Sequence, residues 1–517
     1  MQGHTGPQTG MRPRPERQGR GAAPPGELAR RTHPLPVRKR DFLEDIAAVK
    51  YVSTRGEAPV LGFSDVLLTG LAADGGLYVP QTWPKLSRET IAGFAGRPYA
   101  EVAQAVIEPF VGDDISRQDL AAMIREAYAG FRHPAVTPLV QVAPNRFVLE
   151  LFHGPTLAFK DVAMQLLGRL MDHVLAARDQ RATIVGATSG DTGGAAIEAF
   201  RGRERTDIFV LFPDGRVSDV QRRQMTTPTE ANVHSLALAG TFDDCQSILK
   251  GMFTHAAFRD RVQLAGVNSI NWARIVAQVV YYFVAGAALG APHRPVSFTV
   301  PTGNFGDILA GYVAAQMGLP IERLVIATNA NDILARTLEN GAYETRGVVP
   351  TISPSMDIQI SSNFERLLFE VHGRDGAQIR SLMARLSQSG RFELADGPLA
   401  AIREGFDAGR CGEAETAATI ERTMRETGYL LDPHTAIGLH VAEQQPASDA
   451  PMVVLATAHP AKFPDAVEAA CGVRPALPPE LEPMMSAPER FTKMAAERGE
   501  IERHILDTAR AATMEVS

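Results

Sequence analysis

From Phe147 onward, short aliphatic and β-branched runs alternate with stretches in which apolar residues recur at helical spacing. The pattern predicts strands at 147–152, 182–187, 207–212 and 232–239, and helices at 161–177, 193–200, 217–225 and 243–256. Such alternation is typical of a parallel sheet with helices on both faces. Because folds of this kind bind ligands at the carboxyl ends of their strands, functional residues are expected in the turns that follow the strands.

One of these turns carries Lys160, within the segment 151–161. Thr156 is expected to cap the helix that follows, so Lys160 should lie at the positive end of that helix, between Phe152 and Phe159. Burial and the helix dipole should lower the pKa of the lysine from its usual value of about 10.4. A neutral amine can form a Schiff base with an aldehyde. The alternative is that Lys160 only extends its charged end to solvent from the first helical turn.

Two other turns between a strand and a helix are rich in glycine and hydroxyl side chains. The first spans 187–194 (Ala-Thr-Ser-Gly-Asp-Thr-Gly-Gly), and the second spans 301–307 (Pro-Thr-Gly-Asn-Phe-Gly-Asp) after a strand predicted at 296–300. Backbone N–H groups exposed at the start of a helix bind anions. The sequence contains neither a Walker lysine nor a Gly-x-Gly-x-x-Gly motif, which argues against a nucleotide site. We therefore predict two anion-binding turns.

Taken together, these motifs resemble pyridoxal-phosphate enzymes of the tryptophan-synthase-β group, which have fold type II. Segment 153–161 (His-Gly-Pro-Thr-Leu-Ala-Phe-Lys-Asp) resembles the threonine synthases in particular, as do 50–56, 73–80, 431–438 and 457–463, in the same order along the chain. The resemblance implies an α/β fold with two doubly wound lobes and mainly parallel sheets. It also implies an N-terminal α/β unit before them, in which the sequence pattern predicts helices at 87–94, 99–110 and 116–128.

The resemblance further implies roles for individual residues. Lys160 would bind the cofactor pyridoxal 5'-phosphate and move protons on the substrate. The hydroxyl of Thr457 would meet the pyridine nitrogen of the cofactor. The turn that would hold the cofactor phosphate comprises Gly303, Asn304, Phe305, Gly306 and Asp307. The turn that would hold the substrate carboxylate comprises Thr188, Ser189, Gly190, Asp191 and Thr192. No metal site is implied.

The reaction that the resemblance implies is the conversion of O-phospho-L-homoserine and water to L-threonine and phosphate, which makes the chain a lyase of threonine biosynthesis. A phospholyase with the same site would instead release 2-oxobutyrate, ammonia and phosphate. A non-catalytic relative is a third possibility, and the intact Lys160 argues against it.

Other polar residues have two open interpretations each. Asn268, Ser269, Asn271 and Arg274 could bind substrate or support a helix at 272–289, and Arg222 and Arg223 could bind substrate or form a solvated helix face. His459 and Lys462 could hold a phosphate leaving group or pin their own loop, and Arg55 could be a substrate ligand or a loop residue.

Composition limits the partners and the compartment. The chain has 517 residues, of which 45% are apolar, as is usual for a globular protein. Its net charge of −7 argues against a nucleic-acid partner. Its apolar runs are too short for a membrane span. The three cysteines lie far apart, and we interpret them as free thiols of a reducing compartment. We expect a cytoplasmic monomer or homodimer that acts on a small molecule.

The domain boundaries follow from shifts in composition and from the resemblance. Residues 1–46 form a basic tail rich in proline and glycine that we predict to be disordered. Residues 47–135 should form the N-terminal domain, residues 136–480 the catalytic region of two lobes, and residues 481–517 a helical tail with an amphipathic helix at 488–513. A helical insertion with a structural role is expected at 373–427.

Overall fold

The computed structural model describes Gly3 and residues 49–188 and 190–512. The predicted tail at 1–46, apart from Gly3, and the substrate-turn residue Ser189 therefore lie outside the described residues. The strands are β1 (Tyr51–Ser53), β2 (Tyr78–Pro80), β3 (Leu139–Ala143), β4 (Arg146–Glu150), β5 (Ala182–Ala187), β6 (Thr206–Pro213), β7 (Val233–Ala239), β8 (Leu264–Ala265), β9 (Val296–Pro301), β10 (Ile321–Thr328), β11 (Ala342–Glu344), β12 (Arg391–Glu393), β13 (Phe406–Arg410), β14 (Met452–Ala456) and β15 (Thr492–Ala495).

The α-helices alternate with these strands over most of the chain. They are α1 (Phe63–Thr69), α2 (Arg88–Ala92), α3 (Tyr99–Val111), α4 (Arg117–Ala129), α5 (Lys160–Ala177), α6 (Asp191–Phe200), α7 (Asp219–Thr226), α8 (Phe242–Thr254), α9 (Ala256–Arg261), α10 (Trp272–Ala288), α11 (Gly306–Gln316), α12 (Ile333–Asn340), α13 (Phe364–Val371), α14 (Gly376–Ser389), α15 (Asp396–Gly405), α16 (Glu413–Thr427), α17 (Pro433–Glu443), α18 (Pro464–Cys471) and α19 (Arg498–Thr508).

Two larger sheets organise the described chain. One has six strands in the order β13-β10-β9-β14-β4-β3, in which only the β3–β4 pair is antiparallel. The other has five parallel strands in the order β15-β7-β6-β5-β8. Strand β6 is buried along its whole length, which explains its unbroken apolar run at 208–212. The prediction of an α/β fold with two mainly parallel sheets is confirmed.

Helix α10 lies at the centre of the main hydrophobic core and packs against α3, α5 and α11. Trp272 at its start is fully buried, and its ring centroid lies 6.1 Å from that of Tyr51 in β1 and 6.0 Å from that of Phe110 in α3. A helix that is apolar on nearly all sides must be enclosed by other elements. The N-terminal elements β1, β2 and α1 to α4 therefore share one core with the large sheets.

The structure corrects two predictions about the end of the chain. The insertion at 373–427 is not purely helical, because β13 forms the edge of the six-stranded sheet beside β10 and β12 pairs with β11. The helix predicted at 488–513 is shorter, because β15 pairs with β7 before α19 begins at Arg498. These strands are short edge strands without a clear apolar alternation, so their pairing depends on distant partners rather than on a local pattern.

Four strands of the two sheets lead directly into the predicted functional segments. Strand β4 leads to the loop before Lys160, β5 to the first glycine-rich turn, β9 to the second, and β14 to Thr457. Cys245, Cys411 and Cys471 are free thiols, as predicted. Over the described residues, none of the helices has the length and apolar character needed to cross a membrane.

Candidate active site

The four loops surround a cavity of about 210 Å³ at the ends of the strands. Its walls include most of the residues singled out from the sequence, namely Lys160, Thr188, Asp191, Thr192, Gly303, Asn304, Gly306, Asp307 and Thr457. Gly190 and Phe305 are near the cavity in the chain but do not line it. The fold thus brings together four segments that lie apart in the sequence.

Lys160 is the first residue of α5, and its side chain is about 10% exposed. Burial lowers the pKa of its ammonium group, although the nearby Asp191 carboxylate acts in the opposite direction. This is the direction that the sequence predicted. Its Nζ atom also lies 4.8 Å from the ring centroid of Phe159. The amine is therefore both reachable from the cavity and biased toward its neutral form.

The prediction that Thr156 caps α5 is wrong, because its side chain accepts no bond from the first backbone N–H groups of the helix. Thr156 instead donates its backbone N–H (2.7 Å) and its hydroxyl (2.6 Å) to the carboxylate of Asp161 in the first turn of the helix. Burial raises the pKa of Asp161 to about 6, although these two bonds oppose the increase. A side chain on Gly154 would place its Cβ 2.4 Å from the Cβ of Asp161, so this position requires glycine. The loop before Lys160 is thereby held in one conformation.

Asp191 bridges two lysines inside the protein. Its Oδ1 accepts a bond from Nζ of Lys462 at 2.8 Å, and its Oδ2 lies 3.5 Å from Nζ of Lys160. Burial by itself would raise the pKa of Asp191, but the two ammonium groups lower it well below its usual value. The carboxylate is thus charged. The shorter distance to Lys462 identifies that lysine as its main partner, which is consistent with a lowered pKa for Lys160.

The first glycine-rich turn is organised around the Thr188 hydroxyl, whose oxygen accepts bonds from the backbone N–H groups of Gly190 (2.9 Å) and Gly193 (3.0 Å). The N–H of Gly190 is therefore already used within the turn. Gly190 has φ +141°, and a Cβ there would lie 2.4 Å from the Gln221 side chain, so no other residue fits. The described residues of this turn that line the cavity are Ala187, Thr188, Asp191 and Thr192, of which the last three have polar side chains.

The second glycine-rich turn presents Gly303, Asn304, Gly306 and Asp307 to the cavity. Phe305 has φ +63°, and its ring is buried against Phe364. Only the backbone of Phe305 is therefore free to take part in binding. Burial raises the pKa of Asp307 to about 7, because the carboxylate has only backbone N–H bonds and a weaker effect of Lys160 to stabilise its charge.

Arg274 is a further charged group in the cavity wall, on α10. The side chain is 3% exposed, and burial lowers its pKa to about 10. One N–H of its guanidinium group bonds to the Val267 carbonyl at 3.1 Å, while its Nε has no partner among the described residues. Asn271, by contrast, caps α10 by accepting a bond from the N–H of Ala273 at 3.1 Å. Asn271 therefore supports the start of helix α10, as one interpretation of the sequence suggested, whereas Arg274 faces the cavity.

In the loop after β14, the side chains of His459 and Lys462 form bonds with other protein groups. Lys462 is fully buried, and the Nδ1 atom of His459 accepts a bond from the N–H of Ala461 at 3.1 Å. Burial lowers the pKa of His459 to about 4. Neither side chain lines the cavity, whereas Thr457 does. The suggestion that His459 and Lys462 hold a leaving group directly therefore has no support in the geometry.

A wider opening of about 860 Å³ adjoins the cavity and shares Gln246, Asn268, Ser269 and Asn304 with it. Arg55 lies on this opening, and its guanidinium group forms two bonds with Glu365, at 3.1 and 3.0 Å. Its charge is therefore already paired. Arg222 bonds to Asp219 at 3.1 Å and to Glu489, and it does not line the cavity.

Sequence reasoning assigned no role to several residues of the cavity wall. Ser355 donates its hydroxyl to Asp191 at 3.2 Å and its N–H to the Nε2 atom of His434 at 3.3 Å, which fixes the segment 354–358 over the cavity. Gln278 lies one helical turn after Arg274 on the same face of α10. The helical spacing of Arg274 and Gln278 was the one signal that could have indicated Gln278.

Comparison with known proteins agrees with this architecture. Residues 131–392 match the protein family described as pyridoxal-phosphate dependent enzyme. A crystal structure of PLP-bound threonine synthase from Brucella melitensis superposes with a TM-score of 0.88 and 65% identity, covering 89% of this chain and 100% of that chain. The chain is thus a pyridoxal-phosphate-dependent enzyme of fold type II, and pyridoxal phosphate is its cofactor.

Two other matches flank the central one. Residues 50–128 match the family described as threonine synthase N terminus, and residues 435–505 match threonine synthase, C-terminal. The threonine synthase of Pseudomonas aeruginosa is 52% identical over 459 residues, which cover 88% of this chain and 98% of the relative. The yeast threonine synthase structure has a TM-score of 0.85 and 38% identity, with 90% of this chain and 99% of that chain covered. The chain belongs to the threonine synthase family.

Proposed function

We propose that this protein converts O-phospho-L-homoserine and water to L-threonine and phosphate, with Lys160 as the residue that binds pyridoxal phosphate. The observation that carries the proposal is the buried Lys160 amine, which faces a small cavity between two helix N-termini and next to an unsatisfied arginine. In such a site the lysine can react with an aldehyde while two anionic groups are bound nearby.

The second glycine-rich turn fits the cofactor phosphate. A Cβ on Gly303 would lie 2.8 Å from the Ser355 carbonyl oxygen, so a larger residue would displace the turn. With glycine at this position, the backbone N–H groups of the turn can come close to a phosphate. Gly303, Asn304, Gly306, Asp307 and the backbone of Phe305 would hold the phosphate. The Thr457 hydroxyl would contact the pyridine nitrogen. When bound, the cofactor supplies an electron sink that makes the Cα proton of the substrate removable.

The substrate carries a carboxylate and a phosphate, and the remaining donors of the cavity suit both. Thr188 and Thr192, with Ser189 of the same turn, would bind the carboxylate through hydroxyl and backbone donors. Gly190, whose N–H is bonded to Thr188, would shape the turn rather than donate to the substrate. Asp191 would keep the turn in place through its bonds to Lys462, Gln221 and Ser355. Arg274 would bind the phosphate, because a buried guanidinium with free N–H groups is stabilised by a doubly charged oxyanion. Asn268 and Ser269, beside it in the wall, can donate further hydrogen bonds to the same group.

Lys160 would also move the protons. A neutral amine accepts a proton from Cα and delivers one to a neighbouring carbon, and burial shifts the Lys160 amine toward that form. In the overall reaction, phosphate leaves from Cγ and water adds at Cβ. If water does not add at Cβ, the same site yields 2-oxobutyrate, ammonia and phosphate, which is the phospholyase outcome.

Product analysis tests the proposal. The purified enzyme with bound cofactor is incubated with O-phospho-L-homoserine, and the products are identified by mass spectrometry together with assays for phosphate and ammonia. Threonine and phosphate in equal amounts are expected. Equal amounts of 2-oxobutyrate, ammonia and phosphate would identify a phospholyase, and no phosphate release would contradict both functions.

We also propose that the enzyme works in the cytoplasm as a monomer or homodimer, without a nucleic-acid partner. The net charge of −7 and the three free thiols support this proposal. Light scattering of the purified protein and fractionation of the cells that contain it are the tests. A higher oligomer or a membrane-bound fraction would contradict the respective part.

A further inference from the structure

Lys462 is a completely buried lysine that the proposed reaction does not use. It ends a short 3-10 helix, Pro460–Lys462, just after β14. Its ammonium group donates bonds to Oδ1 of Asp191 (2.8 Å), to the carbonyl oxygen of Thr156 (2.8 Å) and to Oε1 of Gln224 (3.3 Å). A buried cation persists only where such partners compensate its loss of hydration. Since Lys462 does not line the cavity, its effect on the site must pass through these partners.

The partner that connects Lys462 to the chemistry is Asp191. One oxygen of its carboxylate bonds to Lys462 and also accepts a bond from Gln221 at 2.9 Å, while the other lies 3.5 Å from Nζ of Lys160. A single carboxylate thus stands between two ammonium groups. If Lys462 were absent, the buried charge of Asp191 would have Lys160 as its nearest cation. Such a pair would favour the protonated form of Lys160.

Other charged groups face the same pair from neighbouring elements. Arg274 on α10 and Lys462 both lower the pKa of Lys160, after burial, whereas Asp191 raises it. The His434 ring on α17 adds to the lysines in lowering the pKa of Asp191. Asp307 on α11 is close enough for Lys160 to lower its pKa. Lys462 differs from all of these because it contacts Asp191 directly without facing the cavity.

We propose that Lys462 is a positioning residue for Lys160: by holding the Asp191 carboxylate in a buried ion pair, it leaves the Lys160 amine uncharged and able to react with the cofactor. This inference rests on the proposed role of Lys160. The ion pair between Lys462, in the loop after β14, and Asp191, in the turn after β5, thereby acquires a function.

Four proteins separate this electrostatic role from a packing role: the unaltered enzyme, Lys462→Met, Asp191→Asn and the double variant. The net charge next to Lys160 is balanced in the unaltered enzyme and in the double variant, negative in Lys462→Met and positive in Asp191→Asn. The apparent pKa of the Lys160 amine should therefore be highest in Lys462→Met, intermediate and similar in the two balanced proteins, and lowest in Asp191→Asn. A loss of packing contacts without an electrostatic effect would not produce this order of pKa values.

The measurement is the rate at which each protein, freed of cofactor, takes up added pyridoxal phosphate, followed by visible absorbance over a range of pH. Uptake requires the neutral amine, so the rate rises with pH around the pKa of Lys160. We expect Lys462→Met to shift this rise upward by about one unit, which corresponds to about tenfold slower uptake near neutral pH. Lys250→Met, which changes an exposed lysine on α8, is the matched control and should not shift the curve.

Identical apparent pKa values in all four proteins would overturn the proposal, as would uptake that is slower at every pH without a shift. If Lys462→Met does not fold, the remaining three proteins still test the proposal. The apparent pKa of Lys160 should be lower in Asp191→Asn than in the unaltered enzyme and the double variant. The role of Lys160 itself is tested separately: if Lys160→Ala still took up the cofactor with the same absorbance, the proposed function would fail, whatever the order of the four pKa values.

Discussion

The two glycine-rich turns are built alike, yet the pKa values of their carboxyl groups are shifted in opposite directions. Asp191 is the first residue of α6 and Asp307 the second residue of α11, and both side chains belong to residues that are 5% exposed. Burial acts to raise the pKa of both. Nevertheless the pKa of Asp191 is far below its usual value, whereas that of Asp307 is raised to about 7. The glycine-rich motif and the degree of burial therefore do not determine the pKa of the acidic residue.

The neighbours explain the difference. Asp191 has two ammonium groups within 3.5 Å, and Lys462 donates a hydrogen bond to it. Asp307 accepts a bond from the backbone N–H of Ile308 at 2.9 Å, and Lys160 provides only a smaller stabilising effect. Around neutral pH the carboxylate of the first turn is therefore charged and compensated, whereas the acid of the second turn is partly protonated. Partial protonation reduces the repulsion of a phosphate, which agrees with the proposed location of the cofactor phosphate.

The largest expected effect comes from Lys160, the residue close to both carboxylates. Lys160→Ala should lower turnover by about 10³-fold or more and remove the visible absorbance of the bound cofactor, because no other described amine faces the cavity. Lys160→Arg should fail as well, since a guanidinium group stays protonated. Threonine formation and absorbance are measured on protein whose fold is checked by circular dichroism. Near-native turnover of a folded Lys160→Ala protein would contradict the assignment of the site.

The second prediction distinguishes the two glycines of the cofactor turn. Gly303→Val should greatly weaken cofactor binding, because a Cβ at this position lies 2.8 Å from the Ser355 carbonyl oxygen. Gly306→Ala should bind the cofactor nearly normally, because the nearest atoms to its Cβ are at 3.6 Å, an ordinary contact distance. Equilibrium titration with pyridoxal phosphate, followed by absorbance, gives the two affinities.

The matched control for these variants lies in the other turn. Thr192→Ala should keep the cofactor but weaken substrate use by about 1–3 kcal/mol, as expected for the loss of a hydrogen bond to a charged group. Loss of cofactor from Thr192→Ala, together with full retention in Gly303→Val, would reverse the assignment of the two turns.

These results also indicate what the sequence can and cannot predict. The alternation of strands and helices from β4 to α8 was predicted to within a few residues, because buried parallel strands such as β6 are continuous apolar runs. The antiparallel β3 and the short edge strands β13 and β15 were not predicted. Strand β15, for example, has the sequence Thr-Lys-Met-Ala, and its strand conformation depends on pairing with β7.

The site shows the same division. Lys160, both turns and Thr457 follow strands and form motifs that are contiguous in the sequence, so they could be recognised there. The bridge from Lys462 to Asp191 joins two loops that are far apart in the chain, and only the packing of the sheets brings them together. The opposite pKa shifts of Asp191 and Asp307 could not be predicted either, because in both turns the sequence shows only an acid beside glycines.

The third prediction tests the charge state of Asp307. A raised pKa means that the stability contributed by the protonated acid is complete below its usual pKa of about 4 and is lost as pH rises toward about 7. Asp307→Asn lacks this dependence and can keep the bond from Ile308. In cofactor-free protein, its advantage in unfolding free energy over the unaltered enzyme should grow with pH by about 4 kcal/mol and level off above about pH 7. Denaturant unfolding at several pH values measures it, and an advantage that shrinks with pH would show that Asp307 is charged and compensated.

The smallest effect is expected from the basic tail. The comparison of the two turns assumes that neighbouring groups within the folded part determine their charges, although residues 1–40 carry nine arginine and lysine side chains. From its composition we predict that this segment does not order itself on the protein, and salt at physiological concentration screens charges beyond about 8 Å. Deletion of residues 1–40 should therefore change neither the pH dependence of cofactor uptake nor the melting temperature nor turnover. A shift of the uptake curve in the shortened protein would mean that the tail contacts the site and helps to determine the charge of one of the turns.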